Sequence, residues 1–270
     1  PITGSIVSGT YGLGAIALGS EPHIKTYTHG MFQSVFDYPF LSSSANHIFD
    51  ITAGYSSTST LSGASNTQNA KKINIYNQMA QVLMGYDETG SVRLFDEDGD
   101  IIAGGTKIKE CYFINFSRIL SKDEIKKGTF EMSVLTPDGF AHGPSRAEKL
   151  IITDFSGSDG YFVNSPAGEY GVLFATSSTD TDAVLSANRR FPVGLLFYQA
   201  GVAVLSGSIF SDANDGGILN NGKGTVTFSP AGATTSGFNT ITGSSNDVMA
   251  NNLRNRLFNL QFNNTTELNS

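Results

Sequence analysis

Tryptophan is absent from this 270-residue chain, and cysteine occurs once, as Cys111. A single thiol cannot form a disulfide within the chain, so the fold does not depend on an oxidising compartment. Lying in the apolar run Cys-Tyr-Phe-Ile-Asn-Phe, Cys111 reads as a small buried hydrophobe rather than a reactive nucleophile. The lack of tryptophan weakens the case for an aromatic sugar platform. Charged residues make up only 15% of the sequence, and the net charge of −7 argues against a general nucleic-acid-binding surface. No apolar stretch approaches the ~20 residues that a membrane-spanning helix needs, and no secretory signal is visible at the start. The sequence opens on Pro1 rather than Met and closes on Gln-Phe-Asn-Asn-Thr-Thr-Glu-Leu-Asn-Ser without a stop pattern. The natural polypeptide is therefore expected to be processed or excerpted and to continue beyond residue 270.

Recognisable chemistry is equally scarce. There is no Gly-x-Ser-x-Gly elbow, and Ser121-Lys122 are adjacent rather than at the Ser-x-x-Lys spacing. Gly9, Gly12 and Gly14 fit neither a dinucleotide fingerprint nor a phosphate loop. His23, His29 and His47 lie near Asp37 and Asp50 but make no His-x-His or His-Glu-x-x-His pattern, so they read as structural or surface residues. The expectation is a protein that is not an enzyme, with no catalytic residues and no cofactor. The best ion-site motif is Asp96-Glu97-Asp98-Gly99-Asp100, where alternate carboxylates could meet calcium. Its glycine comes fourth, where the EF-hand loop wants it sixth, and no distal Glu follows. Asp96, Asp98 and Asp100 are thus weak calcium candidates, and an acidic β-turn between Arg93-Leu94-Phe95 and Ile101-Ile102 is the simpler reading. Asp212, Asn214 and Asp215 form another oxygen-rich loop of the same weak kind.

What the chain does have is glycine (30 residues), phenylalanine (19) and long Ser/Thr/Asn stretches. A surface this poor in charge suits a protein that buries much of itself against neighbours, or an extracellular or virion-like β protein. The block from Cys111 to Leu135 predicts a strand, a helical turn and a second strand. Ser121 is placed as N-cap with Glu124 at the capping-box spacing, Lys126 and Lys127 at the turn's end, and Gly128 as the left-handed stop. Ile73, Tyr76, Ala80 and Leu83 predict a helix near 69–84, capped by Thr67 and closed by Gly85. Its polar face would carry Lys72, Asn74, Asn77 and Gln81. Met249, Leu253, Leu257 and Leu260 predict another over 247–259, with Arg254 and Arg256 beside its stripe. Short strands are expected at 149–154, 161–163, 171–175, 193–198, 202–205 and 225–228. Gln199-Ala200-Gly201 should form a hairpin loop with glycine left-handed.

The fold class is therefore mainly β with two packed α-helices (α+β), in antiparallel sandwich-like sheets with long Gly/Ser/Thr/Asn-rich loops. Residues 1–48 are expected to be an extended arm and apolar anchor, and 49–270 a mainly-β domain. Within the arm, Met31, Phe32, Val35, Phe36, Tyr38 and Phe40 are the expected interface.

Four stretches carry a family resemblance: KKINIYNQMAQVLMGYDETGSVRLFDEDGD, YFINFSRILSKDEIKKGTFEMSVL, GSDGYFVNSPAGEYGVLF and LLFYQAGVAVLSGSIF. With the closing LQFNNTTELNS, they resemble large virion structural proteins of T4-like contractile-tailed phages, of the marine cyanophage type. The resemblance spans residues 29–270 and consists of scaffold features, with no catalytic motif attached. It implies a structural subunit of the tail or baseplate, with the neck as second position, that assembles through arms and apolar anchors. The expected partners are other virion proteins in a symmetric homo-oligomer; from the charge and the apolar runs above, no nucleic acid and no membrane are expected. The alternative is a tail-associated receptor- or carbohydrate-binding module that meets a host-surface glycan through loops 52–68 or 206–245. A calcium-stabilised adhesin unrelated to phage is the third reading.

Overall fold

A computed structural model describes residues 22–63, 68–101, 104–135, 149–177, 191–210, 243–254 and 257–266. In chain order the elements are β1 (Ile24–Thr26), β2 (Gln33–Phe36), β3 (His47–Tyr55), α1 (Asn69–Leu83), β4 (Phe95–Asp96), β5 (Lys107–Ile108) and β6 (Glu110–Phe116). There follow α2 (Arg118–Ser121), β7 (Glu124–Ile125), β8 (Glu131–Leu135), β9 (Lys149–Thr153), β10 (Phe162–Ser165), β11 (Gly168–Ser177) and β12 (Phe191–Phe197). Last come β13 (Val202–Ser206), α3 (Asn246–Arg254), β14 (Leu257–Gln261) and β15 (Asn264–Thr265). Eleven strands join in one antiparallel sheet, ordered β1-β2-β3-β6-β13-β12-β11-β9-β8-β14, with β10 alongside β11. The protein is mainly β and antiparallel, as its sequence predicts.

The central strands are buried on both faces, and their residues show it by period two. Along β6, Tyr112, Ile114 and Phe116 enter one core while Cys111 and Phe113 enter the other. In β13, Ala203 and Leu205 oppose Val202 and Val204 in the same way. On one side lie α1 and the β4–β5 hairpin. On the other lie α3 and the far end of the sheet, which curls back. Phe116 of β6 stands 6.0 Å from Phe130, just before β8, and 5.0 Å from Phe262, just after β14. Strands far apart in the sheet order thus close over one core, and a single coiled sheet supplies the two layers expected of a sandwich.

Helix α1 presents Tyr76, Ala80 and Leu83 to the sheet and ends at Gly85, whose φ is +74°. Gly54 of β3 is where the helix crosses. A β-carbon there would meet Lys72 O at 2.7 Å and Tyr76 N at 3.0 Å. The expected cap Thr67 lies outside the described residues. Lys72, assigned above to the polar face, is instead fully buried and donates from Nζ to Ser244 O at 2.5 Å. That crossing turns its side of the helix toward the segment leading into α3.

Three other expectations are corrected. The last helix stops at Arg254, and Leu257 and Leu260 belong to β14, where they pair with Val134 and Met132 of β8. A register shift between Leu257 and Asn259 lets two residues three apart face the same core, which imitates a helical stripe. The turn in the Cys111–Leu135 block is α2, so Ser117, not Ser121, takes the N-cap position, with no side-chain cap bond. Lys122, with φ of +53°, ends that turn. Ile125 is fully buried, and Glu124–Ile125 pairs with β15 instead of continuing a helix. Gly128 is left-handed as expected, with φ of +74°, but it closes a loop held by Asp154. Finally, residues 22–48 are not a separate arm: β1, β2 and the start of β3 are strands of the main sheet, and Ile24 and Val35 lie in its core. The strand expected at 225–228 falls outside the described residues.

Candidate functional site: an acidic turn beside a hydroxyl-lined cleft

The chemistry-bearing residues gather where the β4–β5 hairpin leans on the sheet. Phe95 starts β4 because its ring fits edge-to-face on Tyr76 of α1, 5.5 Å away, and near Phe113 and Phe197. Asp96 follows and is drawn inside, 1% exposed. Its cross-strand partner is Lys107, not a residue of 101–102, so the hairpin is longer than the acidic turn read from the sequence. The reason is the apolar pair Phe95 and Ile108: both are buried and register with each other, which places Lys107 opposite Asp96. Lys107 Nζ contacts Asp96 Oδ2, while Asp96 Oδ1 is buried with no hydrogen-bond partner among the described residues. Burial lowers the Lys107 pKa.

The tip of the turn is fixed from beneath. Gly99 donates its N–H to Asp96 O at 3.3 Å, and Tyr170 of β11 donates its hydroxyl to Gly99 O at 2.9 Å. With φ of +83° and a β-carbon position 2.6 Å from the Phe162 ring, this position takes only glycine. Asp98 is exposed and accepts from the Asp100 N–H at 3.2 Å. One carboxylate oxygen from each of Asp96, Asp98 and Asp100 lies within 4.8 Å of the others. Glu97, by contrast, turns to Thr106, and burial, opposed by that hydrogen bond and aided by the charge of Asp98, raises its pKa.

Beside this turn is a cleft of about 690 Å³ whose walls include Ser56, Ser57, Thr58, Ser91, Arg93 and Lys107. Ser56 to Thr58 belong to the loop at 52–68 that the sequence offers for glycan contact. Part of this hydroxyl lining serves the loop itself, since Ser56 Oγ lies 3.0 Å from Thr58 Oγ1. Asp87, also on the wall, spends Oδ1 on the N–H groups of Thr89 and Ser91.

The other expected sites separate. His47 Nε2 bonds Asp50 Oδ1 at 2.8 Å, His29 stacks on Tyr27 at 5.1 Å, and Asp37 accepts from Asn46. His47 and His29 are thus each occupied in their own place, and His23 Nδ1 is buried with no hydrogen-bond partner among the described residues. Asp212, Asn214 and Asp215 lie outside the described residues. Of the expected interface residues, Val35 is completely buried in this chain's own core and is withdrawn from that role. Met31, Phe32, Phe36 and Phe40 are half-buried, and Tyr38 is 58% exposed.

Sequence reasoning missed one polar cluster altogether. Lys127 bridges Glu169 at 2.5 Å and Glu124 at 3.4 Å and sits over the rings of Tyr161 and Tyr198. Burial would lower its pKa, but the Glu169 hydrogen bond and the two carboxylate charges outweigh that and raise it. Nearby, buried Asp154 accepts the N–H groups of Gly128 and Phe130 at 2.7 and 2.9 Å. These bonds tie the 126–130 loop to the sheet. No spacing rule would have found them, because the partners come from β7, the residue after β9, and β11.

Compared with protein-family models, with curated proteins and with solved structures, the chain gives no significant match to any of the three.

Proposed function

We propose that this chain is a structural subunit of a tailed-phage virion, in the tail or baseplate or else the neck, that assembles through the aromatic edge at residues 36–41. The observation that carries this reading is the surface beside edge strand β1. There Phe36 packs on Phe40 and His47, with ring centroids 6.3 and 5.5 Å away, and leaves Tyr38 and Leu41 58% and 88% exposed. Large apolar side chains presented from a braced loop, next to the strand that ends the sheet among the described residues, suit burial against a neighbouring subunit. Each would contribute about 2 kcal/mol when covered. The resemblance supports the virion setting, and its stretches cover α1 and β4 as well as strands β6, β8, β11, β12 and β13 of the sheet. The partners in this reading are further copies of the chain and other virion proteins.

Tyr38→Ser with Leu41→Ser tests it more cleanly than changes at Phe36 and Phe40, which also pack within the chain. The double variant should keep its circular dichroism and thermal midpoint, yet enter particles at least tenfold less well in a complementation assay. Normal incorporation would reject the edge as the assembly surface.

The cleft favours a second reading, a tail-associated receptor- or carbohydrate-binding module, because its wall combines hydroxyls with Arg93 and Lys107. Saturable binding of host-surface polysaccharide, weakened at least tenfold by Arg93→Ala, is its expected signature. Absence of binding by the intact chain removes it.

A further inference from the structure

We infer that the Asp96–Asp100 turn holds one divalent cation of the calcium type. This inference is independent of the assembly reading. Oxygen ligands of calcium sit at about 2.3–2.6 Å, so two oxygens on one ion are separated by at most about 5 Å. The three aspartates meet that limit, with their oxygens within 4.8 Å of one another. The motif departs from the EF-hand loop, and the geometry explains how it converges without that pattern. Gly99, at φ of +83°, folds the turn back, and Tyr170 holds its carbonyl in place, so carboxylates at alternate positions come to one side.

A cluster of acids on a surface turn would not by itself mark a site. The second observation is Asp96 Oδ1: the side chain is 1% exposed, and this oxygen has no hydrogen-bond partner among the described residues. A buried carboxylate oxygen left unmatched is costly, and a bound cation would match it. That oxygen faces the space beside Gly105. A β-carbon placed on Gly105 would lie 3.3 Å from Asp96 Oδ1 and 3.8 Å from Asp98 Oδ2. Glycine leaves the space open between two of the three carboxylates. Lys107 does not take this role, because its ammonium meets Asp96 on the other oxygen, Oδ2. Calcium fits better than magnesium, which demands near-ideal octahedral geometry and gives up its water reluctantly. A bound ion would brace the wall of the adjoining cleft, since Lys107 belongs to both.

The test uses the full chain freed of metal with a chelator. Calorimetric titration with calcium chloride should give one saturable event with half-saturation on the order of 0.1–1 mM. The thermal midpoint should rise by several degrees, and magnesium should raise it much less. Asp98→Asn, an exposed change that spares the core, should weaken calcium binding at least tenfold, and Asp100→Asn should do the same. Asp159→Asn, an exposed acid elsewhere, should bind as the parent does. No saturable heat and no midpoint shift at about 10 mM calcium would overturn the inference. So would unchanged binding by Asp98→Asn, which would put the ion elsewhere, or a magnesium effect equal to that of calcium.

Discussion

Replacing Gly194 with alanine is expected to cost about 3 kcal/mol or more of folding stability. In a regular pleated strand the β-carbon stands off the sheet, clear of the neighbouring backbone. At Gly194 it would sit 2.0 Å from Val204 O and 3.1 Å from Leu205 Cα, both on the paired strand β13. That collision marks a local bend. The bend coincides with the register shift between Leu173 and Phe174 on the other neighbour, β11. A glycine and a bulge facing each other are the ordinary means of coiling a sheet. Here they sit among the strands that lead to the half which curls over the Phe116, Phe130 and Phe262 cluster. Alanine must separate β12 from β13 or flatten the corner, and either outcome loosens both cores. For a domain this size the thermal midpoint should fall by roughly 6–12 °C. Urea unfolding followed by circular dichroism would measure it. A change smaller than about 1 kcal/mol would show that the corner does not depend on this glycine.

The contrast between Gly194 and β6 explains which parts of the fold were legible in the sequence. Tyr112, Ile114 and Phe116 alternate with Cys111 and Phe113, and such a pattern can be read without knowing the partners. The hairpin at Gln199-Ala200-Gly201 was equally plain, and Gly201 is left-handed with φ of +66°. By contrast, β7 and β15 are two residues each and exist only because they pair across about 140 positions. The stripe Leu253, Leu257, Leu260 kept helical spacing across a change from helix to bulged strand. Of the acidic turn, the run of carboxylates was legible. The burial of Asp96 was not, because it depends on Phe95 meeting Ile108 and on Tyr170 holding Gly99 from another strand. Val35 could not be told from Phe36 by composition. Gln33, Ser34 and Val35 are all buried along β2, and only at Phe36, beyond a register shift against β3, does the strand leave a side chain half-exposed.

Lys72 is the clearest case of a residue whose sequence role inverts, and it carries the second large effect. Replacing it with methionine should raise stability at pH 7, the opposite of most core substitutions. Its side chain is fully buried, and burial, with a further contribution from the charge of Lys71, lowers its pKa from 10.5 to about 8. At pH 7 the amine is still protonated in both the folded and unfolded states. The folded protein therefore bears the cost of a buried charge held by one carbonyl, Ser244 O. Between pH 8 and 10.5 the unfolded chain binds the proton and the folded chain does not, so stability contributed by this group rises with pH across that window. The rise should be about 2–3 kcal/mol. Methionine keeps the length and packing of the stem, removes the charge, and leaves Ser244 O without its donor, which offsets about 1 kcal/mol of the gain. The net expectation is a variant about 1–2 kcal/mol more stable at pH 7. Its unfolding free energy should also lack this group's rise between pH 8 and 10.5. Urea titrations of parent and variant at pH 7, 9 and 10.5 would separate the two terms. Parallel pH profiles would mean that the Lys72 amine is not held out of water. A profile that flattens while stability at pH 7 falls would mean that the Ser244 contact, which ties α1 to the start of α3, matters more than the charge.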